Sequence, residues 1–287
     1  MSIITEKNIT CRGKKNFKVM LERYNSAMEM VADLRKRKIT DKSFKDRSKE
    51  EEFGSWEGVK TYEECLQYMQ NGYQPTVDAL KESVKLSVVK GDTKRISFKN
   101  DIVGGNPIVP LAMIGVPNCM QNTYIRPIKV KVIDVYYVMT CSCGTSSKSI
   151  IEAGQKILGT ILRLEQQGYK FNLYAVQCYC DYNDADMLCV KIKSSSQPLD
   201  IKRMSYTLTH TSFFRVLGFD WYSRTPKGTY RFGYGHALGY DLDSTEKIND
   251  FAKKMFGDNA VYLSAAIMND KYKKNKDEYI NSMITAK

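Results

Sequence analysis

The sequence predicts an α/β fold for the second half of the chain. Residues 128–139 form a strand candidate, and the apolar run at 135–139 lacks alternation, which is typical of a strand covered on both faces. An amphipathic helix pattern follows at 149–166, and a second strand pattern lies at 171–180. A strand, a helix and a strand at this spacing predict a βαβ unit, the building block of a doubly wound, Rossmann-like sheet.

The elements after this unit fit the same fold class. A turn at 182–184 precedes a strand pattern at 187–193, and so short a connection predicts antiparallel pairing with the strand before it. Apolar periodicity and turn residues predict four further elements. In chain order these are a helix at 212–219, a helix at 246–256, a strand at 260–265 and a helix at 270–284.

The first 127 residues are predicted to form a mainly helical region. Residues 1–15 have the composition of a polar arm, and apolar residues at three- and four-residue steps from Phe17 to Val31 predict a helix. The basic run at 35–38 then lies in its last turn, where cations suit the helix dipole. We therefore expect two domains, with residues 1–127 preceding an α/β domain at 128–287.

Capping residues and glycines divide the rest of the first region. Thr61 has the position of an N-cap, and Asn71-Gly72 is a helix-ending pair, so a helix is predicted between them. A second helix is expected at 77–86 and a short strand at 96–98. Residues 101–122 are rich in Gly and Pro, and Pro110 is well placed to begin a helical turn.

Charge and composition limit the function classes. The net charge is +12, and residues 12–49 alone hold 13 basic and 5 acidic side chains. Such an excess favours polyanionic partners or acidic protein surfaces, although it also serves solubility alone. No apolar run is long enough to span a membrane and the N-terminus has no signal-like apolar region, so we expect no membrane partner and a cytoplasmic location with reduced thiols.

Residues 128–186 resemble a von Willebrand factor A-type domain, which has a doubly wound sheet, a long first helix and an antiparallel edge hairpin. Such domains hold a metal-ion-dependent adhesion site with the pattern Asp-x-Ser-x-Ser on the loop after the first strand. The matching loop reads Thr140-Cys141-Ser142-Cys143-Gly144, in which only Ser142 fits. A hydroxyl replaces a carboxylate poorly at a hard cation, so the resemblance implies a degenerate metal motif.

The whole chain also resembles a family of uncharacterised proteins of tailed phages and other mobile elements. Three blocks carry this resemblance, and the third departs from the family pattern because Thr211 stands where a proline is usual. The blocks lie at 53–55 with 62–64 and 71–73, at 101–110 with 115–120, and at 210–219. The resemblance implies a phage or mobile-element protein with a von Willebrand A-like C-terminal domain, and it implies no activity.

The two resemblances direct attention to the carboxyl end of the sheet, where open α/β sheets bind ligands. The candidate ligand-binding or partner-binding residues there are Thr140, Ser142, Gly144, Thr145 and His210. His210 precedes a helix among hydroxyl residues, so it is either a functional imidazole or part of an ordinary N-terminal cap.

Three further sets of residues have a weaker chemical pattern. Cys141, Cys143, Cys178 and Cys180 end two strands and suggest a metal site, but their Cys-x-Cys spacing fits buried thiols better. The glycine loop at 101–105 fits a tight turn better than a phosphate cradle. Basic residues that suit nucleic acid are Arg35, Lys36, Arg37, Lys38, Arg215 and Arg231, the last two among aromatic residues.

These observations predict a non-catalytic interaction or scaffold protein of a phage or mobile element, without a cofactor and with a protein as its partner. The first alternative is a nucleic-acid-binding protein that uses the basic helix at 12–49. The second is a metal-dependent hydrolase, which needs carboxylates beside Ser142 and His210. The candidate donors for that hydrolase are Asp181, Asp184 and Asp220.

Overall fold

The structure is a computed structural model of the chain. It describes most of the sequence in segments. The described residues are 2–10, 16–40, 46–50, 52–86, 94–127, 132–141, 144–166, 168–181, 184–198, 200–225, 245–263, 278, 280, 282 and 284.

Nine strands and eight α-helices are numbered here in chain order over these residues. The strands are β1 Ile3–Thr10, β2 Asn16–Tyr24, β3 Lys94–Asp101, β4 Asn106–Pro107, β5 Met120–Pro127, β6 Val132–Val138, β7 Lys170–Asp181, β8 Asp184–Lys193 and β9 Ala260–Leu263. The helices are α1 Ala27–Leu34, α2 Tyr62–Asn71, α3 Gln74–Leu86, α4 Val109–Met113, α5 Ser147–Gln166, α6 Ile201–Thr209, α7 Phe219–Ser223 and α8 Thr245–Phe256. A 3₁₀ turn at Arg47–Lys49 and a π-helix at Phe213–Gly218 are also present, and the described residues 278, 280, 282 and 284 are helical.

The α/β class predicted from the second half of the chain is confirmed. Strands β6 and β7 are parallel neighbours, and the long helix α5 connects them. Strand β8 returns antiparallel to β7, as the short turn predicts, and β9 lies parallel to β6 on its other side. The full mixed sheet has the order β1-β2-β8-β7-β6-β9.

The centre of this sheet is covered on both faces. Consecutive residues of a strand point to opposite faces, and consecutive positions are buried at 135–139, 175–179 and 185–190. This explains why the central strands are continuous apolar runs in the sequence rather than alternating ones. Part of the cover comes from α1, α5 and α6, which pack against β7 or β8.

The prediction of one basic helix within residues 12–49 is wrong. Residues 16–24 form β2, which pairs in parallel with β8, and α1 begins only after the N-cap Ser26. Val19, Leu21 and Glu22 are all buried, because β2 lies between β1 and β8 inside the sheet. A short apolar run at these spacings suits a buried strand as well as a helix, and its partner strand decides between them.

The predicted polar arm at 1–15 and the mainly helical region at 1–127 are corrected in the same way. Residues 3–10 of that arm form β1, an edge strand antiparallel to β2. The first region therefore contributes two strands to the sheet of the second half. It also contains a separate three-stranded sheet in the order β3-β5-β4. The Gly- and Pro-rich residues 101–122 belong to this smaller sheet and to its connections.

Two buried ion-pair networks connect the N-terminal region to α7. In the first, Glu22 accepts hydrogen bonds from Trp221 and Arg37, and Arg37 also binds Asp33 at 2.6 Å. In the second, Arg224 binds Asp220 at 2.8 Å and Asp46 at 2.5 Å. Because these side chains come from distant parts of the sequence, each network fixes the first fifty residues against the second half.

Candidate functional site

The loop after β6 begins with a hydroxyl that the backbone uses. The amide of Met139 donates to the carbonyl of Val176 at 2.8 Å, and the amide of Cys178 donates to Thr140 Oγ1 at 2.8 Å. Thr140 is buried. Its side chain therefore prolongs the pairing of β6 with β7 and is not directed toward a ligand. Ser142, the one residue that fits the metal motif, lies outside the described residues.

The second part of this loop leads into α5. Gly144 is exposed and Thr145 is half-buried. Ser146 accepts a hydrogen bond from the amide of Ser149 at 3.2 Å, which is the geometry of a helix N-cap. The candidate residues Gly144 and Thr145 therefore lie directly before the N-terminus of a 20-residue helix.

The carbonyl of Thr145 is held by Arg215, a residue of the π-helix. Arg215 Nη2 donates to the Thr145 oxygen at 3.0 Å, and Nη1 donates to the carbonyl of Trp56 at 2.6 Å. The guanidinium carbon lies 4.3 Å from the centroid of the Trp56 ring, a cation–π contact. Arg215 is 2% exposed. A buried positive charge is thus fixed at the loop in which the metal motif was predicted.

The turn that includes Trp56, which we call the cover turn (residues 53–60), lies over the start of the π-helix. The amide of Phe53 donates to the carbonyl of Lys60 at 2.7 Å and closes the turn, and the hydroxyl of Thr211 donates to the carbonyl of Glu57 at 3.0 Å. Gly58 has φ +78°, and a Cβ there would meet Thr211 Oγ1 at 2.6 Å. Only glycine fits this close approach without strain.

His210 lies beneath the same turn in an aromatic cage. Its ring centroid is 4.5 Å from that of Tyr73 and 5.3 Å from that of Tyr68, and its Nδ1 lies 2.8 Å from Ser212 Oγ. His210 is 6% exposed and Ser212 is fully buried. Burial lowers the pKa of His210 to about 4, with nearby Glu64 opposing the shift. The imidazole is therefore neutral at pH 7, and its known contacts are structural.

The candidate ligand residues consequently divide into three groups. Thr140 and His210 are buried and their hydrogen bonds are structural, and their role as partner contacts stays a prediction. Gly144 and Thr145 remain accessible in part, whereas Ser142 is outside the described residues. The sequence analysis did not assign Arg215 or the cover turn to this region. It selected Arg215 as a nucleic-acid-binding residue, and residues 53–55 of the turn as part of a resemblance block.

The residues predicted to bind nucleic acid do not share one surface. Arg35, Lys36 and Lys38 are exposed after α1. Arg37, in contrast, forms ion pairs with Glu22 and Asp33, so its charge is compensated. Arg215 is buried, which contradicts its predicted role as an accessible cation. The last predicted member of the set, Arg231, is outside the described residues.

The proposed cysteine cluster is only partly described. Cys178 is a buried free thiol, and Cys141 is half-buried. Cys143 and the side chain of Cys180 lie outside what the structure describes. Within the described residues, no group of three or more His, Cys, Asp or Glu side chains is arranged to hold a metal ion. The same part of the chain has no helix with both the length and the apolar content to cross a membrane.

Comparison with known proteins adds a family and no function. A family model described as a domain of unknown function (DUF7192) matches residues 5–285. No curated protein matches the chain. No solved structure matches it either.

Proposed function

Since this chain belongs to the DUF7192 family, whose description names no function, we propose one from the geometry of the site. We propose that the chain is a non-catalytic interaction or scaffold protein of a phage or mobile element, active in the cytoplasm of the host cell. Its sheet would be a von Willebrand A-like sheet that keeps the architecture and has a degenerate metal motif. One fold can host many unrelated functions, so such a sheet can serve binding without the metal chemistry.

Strand arrangement supports the von Willebrand A-like part of this proposal. The parallel strands β6, β7 and β9, the antiparallel strand β8 and the 20-residue helix α5 correspond to the elements that the resemblance implies. One feature departs from it. Strand β8 is not an edge strand, because β2 pairs with it in parallel and β1 follows β2.

Arg215 is the observation that carries the non-catalytic interpretation. Its guanidinium donates to Thr145 at the loop where the resemblance would locate a divalent cation. The guanidinium thus occupies the carbonyl of Thr145 and brings a positive charge to a loop at which a hard cation would need oxygen ligands. The positive charge of Arg215 therefore opposes metal binding at this loop, and the interaction with Trp56 holds it there.

The hydrolase alternative lacks support from the carboxylates that it needs. Asp220 is buried and engaged by Arg224 and Tyr62, with 2.8 Å and 3.1 Å between the bonded atoms. Asp184 is exposed at the beginning of β8, at the turn that joins it to β7, and the side chain of Asp181 is outside the described residues. His210 and Ser212 are buried together beneath the cover turn, so neither is offered to a substrate.

The decisive experiment combines two measurements on the full chain. Titration calorimetry with Mg²⁺, Mn²⁺ and Ca²⁺ separately should show no saturable binding. Affinity purification from cells that carry the gene, with and without nuclease, should yield a defined protein that remains after nuclease treatment. Saturable metal binding together with ester or phosphoester hydrolysis would overturn the proposal in favour of the hydrolase. Proteins lost on nuclease treatment would overturn it in favour of nucleic acid.

Nucleic-acid binding stays the second candidate because Arg35, Lys36 and Lys38 are exposed together. Three accessible cations would give an affinity that falls steeply with salt, since each phosphate contact releases counterions. Fluorescence anisotropy with single-stranded DNA and RNA tests this at two salt concentrations. Charge reversal of all three residues should abolish the binding if this candidate is correct, and reversal of Lys253 and Lys254 on α8 provides a matched control.

A further inference from the structure

The six-stranded sheet has two carboxyl ends, because its parallel strands run in two directions. Strands β6, β7 and β9 are parallel, and their carboxyl ends lie together at the loop after β6. Strands β2 and β8 are parallel to each other, but β8 is antiparallel to β7, so this pair ends at the opposite edge of the sheet. Open sheets bind ligands beyond the carboxyl ends of parallel strands. The ends of β2 and β8 are therefore a second position for a ligand site.

Two cations lie on one face of the sheet at this second end. Arg23, near the end of β2, is opposite Cys189 of β8, and Lys191 lies two residues further along β8. Alternate residues of a strand share a face, so Arg23 and Lys191 are on the same side, with about 8 Å between their Cα atoms. Both side chains are half-buried. Their length allows both to reach one ligand group.

The charges of these two cations are not compensated by the protein. Within the part of the chain that the structure describes, neither Arg23 nor Lys191 forms an ion pair. The Nε atom of Arg23 is buried and has no hydrogen-bond partner. A buried donor without a partner is uncommon in a folded protein, and an unseen ion or molecule is one of its ordinary explanations.

Aromatic rings hold the two cations in place. Arg23 Cζ lies 5.7 Å from the centroid of the Phe256 ring. Lys191 Nζ lies 5.9 Å from the centroid of the Tyr174 ring. Tyr136 stacks on both rings, with centroid distances of 3.7 Å to Phe256 and 4.7 Å to Tyr174. A ring attracts a cation but does not neutralise its charge, so both cations can still bind an anion.

A carboxylate of fixed orientation lies on the same face. Asp134 of β6 is opposite Asn172 of β7, and Asn172 Nδ2 donates to Asp134 Oδ1 at 2.6 Å. The amide of Ser195, in the loop after β8, donates to Asn172 Oδ1 at 2.8 Å and so fixes the direction of the Asn172 side chain. Asp134 is half-buried and has no ion-pair partner among the described residues. Its carboxylate can therefore accept a further hydrogen bond.

The carboxylate lies close to the two cations without contacting them. Burial raises the pKa of the Cys189 thiol to about 12, and the same thiol feels both Arg23, which opposes the shift, and Asp134, which adds to it. Asp134 is on β6 and Lys191 is on β8, with β7 between them. Neighbouring strands are about 4.8 Å apart, so β6 and β8 are about 10 Å apart. A small molecule can span this distance.

This arrangement of charge fits a phosphate monoester that also carries hydroxyl groups. A phosphate monoester has a charge of about −1.5 to −2 at pH 7, which matches two cations. A carboxylate or a phosphodiester of nucleic acid has only one charge. A guanidinium binds phosphate oxygens with paired hydrogen bonds. The Asp134 carboxylate would repel a phosphate but would accept a hydrogen bond from a hydroxyl group at the other end of the molecule.

We propose that Arg23, Lys191, Asp134 and Asn172 form a binding site for a small sugar phosphate or polyol phosphate. We call it the phosphate site. Arg23 and Lys191 bind the phosphate group, and Asp134, oriented by Asn172, accepts a hydrogen bond from a hydroxyl group. The inference goes beyond the proposed function and does not depend on it, because the ligand needs no protein partner in order to bind.

Titration calorimetry of the purified full chain tests the phosphate site. The probes are ribose 5-phosphate, glucose 6-phosphate and glycerol 3-phosphate, with inorganic phosphate, the three unphosphorylated compounds and a single-stranded oligonucleotide without a terminal phosphate as comparisons. At least one monoester should bind saturably with a Kd below about 1 mM, inorganic phosphate should bind more weakly, and the unphosphorylated compounds should not bind. Failure of all three monoesters to bind, or tighter binding of the oligonucleotide, would overturn the proposal.

Substitution of the cations distinguishes a site from general attraction. Lys191→Gln should weaken binding of the monoester about tenfold, because the phosphate loses a charged donor, and Arg23→Gln should do the same. Lys18→Gln is the matched control, since Lys18 is exposed on the same strand as Arg23 and the change in net charge is equal. It should leave the affinity within about twofold. Equal losses in Lys18→Gln and Lys191→Gln would overturn the proposal, and Lys191→Gln decides the matter alone if Arg23→Gln does not fold.

Substitution of the carboxylate tests the other end of the ligand. Asp134→Ala should lower the affinity for the monoester toward that for inorganic phosphate, because it removes the acceptor for the hydroxyl group. The affinity for inorganic phosphate itself should not fall. An equal loss for the monoester and for inorganic phosphate would overturn the assigned role of Asp134, and thermal unfolding of each variant confirms that the fold is retained.

The outcomes also separate the phosphate site from the proposed function. If no monoester binds but affinity purification yields a nuclease-resistant protein partner, the site fails and the proposed function stands. If a monoester binds as expected but no protein remains after nuclease treatment, the site stands and the proposed function fails.

Discussion

Trp221 donates its indole N–H to the buried carboxylate of Glu22, with 2.7 Å between Nε1 and Oε2. Glu22 lies in β2 and is fully buried, and Trp221 lies in α7. Burial alone would raise the pKa of Glu22, but the hydrogen bonds from Arg37 and Trp221 outweigh it and hold that pKa below its ordinary value. The carboxylate is therefore charged in the folded protein and depends on its donors.

Trp221→Phe should destabilise the fold by about 1–3 kcal/mol, because it removes one donor from a buried charge and leaves most of the packing in place. In a Glu22→Gln background, the same substitution should have a much smaller effect. Urea unfolding of the two single variants and the double variant measures this coupling. Additive effects would show that the Trp221–Glu22 hydrogen bond does not stabilise the fold.

The stability of the protein should fall as the pH decreases from about 6.5 to about 4. Burial lowers the pKa of His210 to about 4, so over this interval the unfolded chain binds a proton that the folded chain does not. The protein is therefore most stable, with respect to His210, above the unfolded pKa of about 6.5. Over the whole interval the free energy of unfolding falls by about 3 kcal/mol.

His210→Gln should flatten the dependence of unfolding free energy on pH between those limits. The imidazole resonance that this variant loses should titrate near pH 4 in the unaltered protein by NMR. Parallel stability curves for the two proteins, or titration of that resonance near pH 6.5, would contradict the buried and neutral state of His210. The contribution of Glu22 begins to be lost as the pH falls toward the ordinary glutamate pKa of 4.5, but it is common to both proteins, so the difference between the two curves reports His210.

Two glycines of α5 should respond in opposite directions to alanine. A Cβ at Gly154 would collide with the carbonyl oxygen of Leu208 and would lie 2.8 Å from Thr209 Cγ2, where α5 crosses α6. Gly159 has open space around the same position. Gly154→Ala should therefore cost roughly 2 kcal/mol or more, whereas Gly159→Ala should stabilise by about 0.5–1 kcal/mol. Thermal and urea unfolding of both variants tests the helix crossing, and a stabilising Gly154→Ala would disprove it.

Arg215→Met should destabilise the protein by about 2–4 kcal/mol, because the carbonyls of Trp56 and Thr145 lose charged donors. Arg215→Lys should recover only part of that loss, since an ammonium group cannot reach two divergent carbonyls in the planar geometry of a guanidinium. The quenching of tryptophan fluorescence by acrylamide should rise in the Met variant as the cover turn loosens. If Arg215→Lys is as stable as the unaltered protein, the planar, forked geometry of the guanidinium does not contribute to stability.

The sequence pattern predicted correctly those helices and strands whose cause lies in neighbouring residues. The strands β6, β7 and β8 and the helix α5 follow from apolar runs, glycines and a short turn, all of which act within about ten residues. Strand β2 could not be predicted in this way. Its apolar spacing suits a helix, and its identity depends on β8, which is more than 150 residues later.

The candidate site shows the same limit. Thr140 and His210 were selected because of their side-chain chemistry, but their burial depends on Cys178 and on the cage of Tyr68 and Tyr73. Arg215 reaches carbonyls 159 and 70 residues away in the sequence. Backbone carbonyls leave no trace in residue identities, so sequence alone interpreted a buried structural cation as an accessible one.

The parallel pairing of β2 with β8 sets an order of events during synthesis. The β1–β2 hairpin leaves the ribosome early, but the strand that covers its inner edge is completed only after Asp184–Lys193 has been translated. For most of translation β2 therefore exposes apolar side chains and an edge of unpaired backbone N–H and C=O groups, a state that invites misassociation. Because β2 can pair with β8 only late and over a long sequence separation, a truncated chain that ends before β8 should aggregate. For the same reason the nascent protein should benefit from a chaperone until β8 emerges.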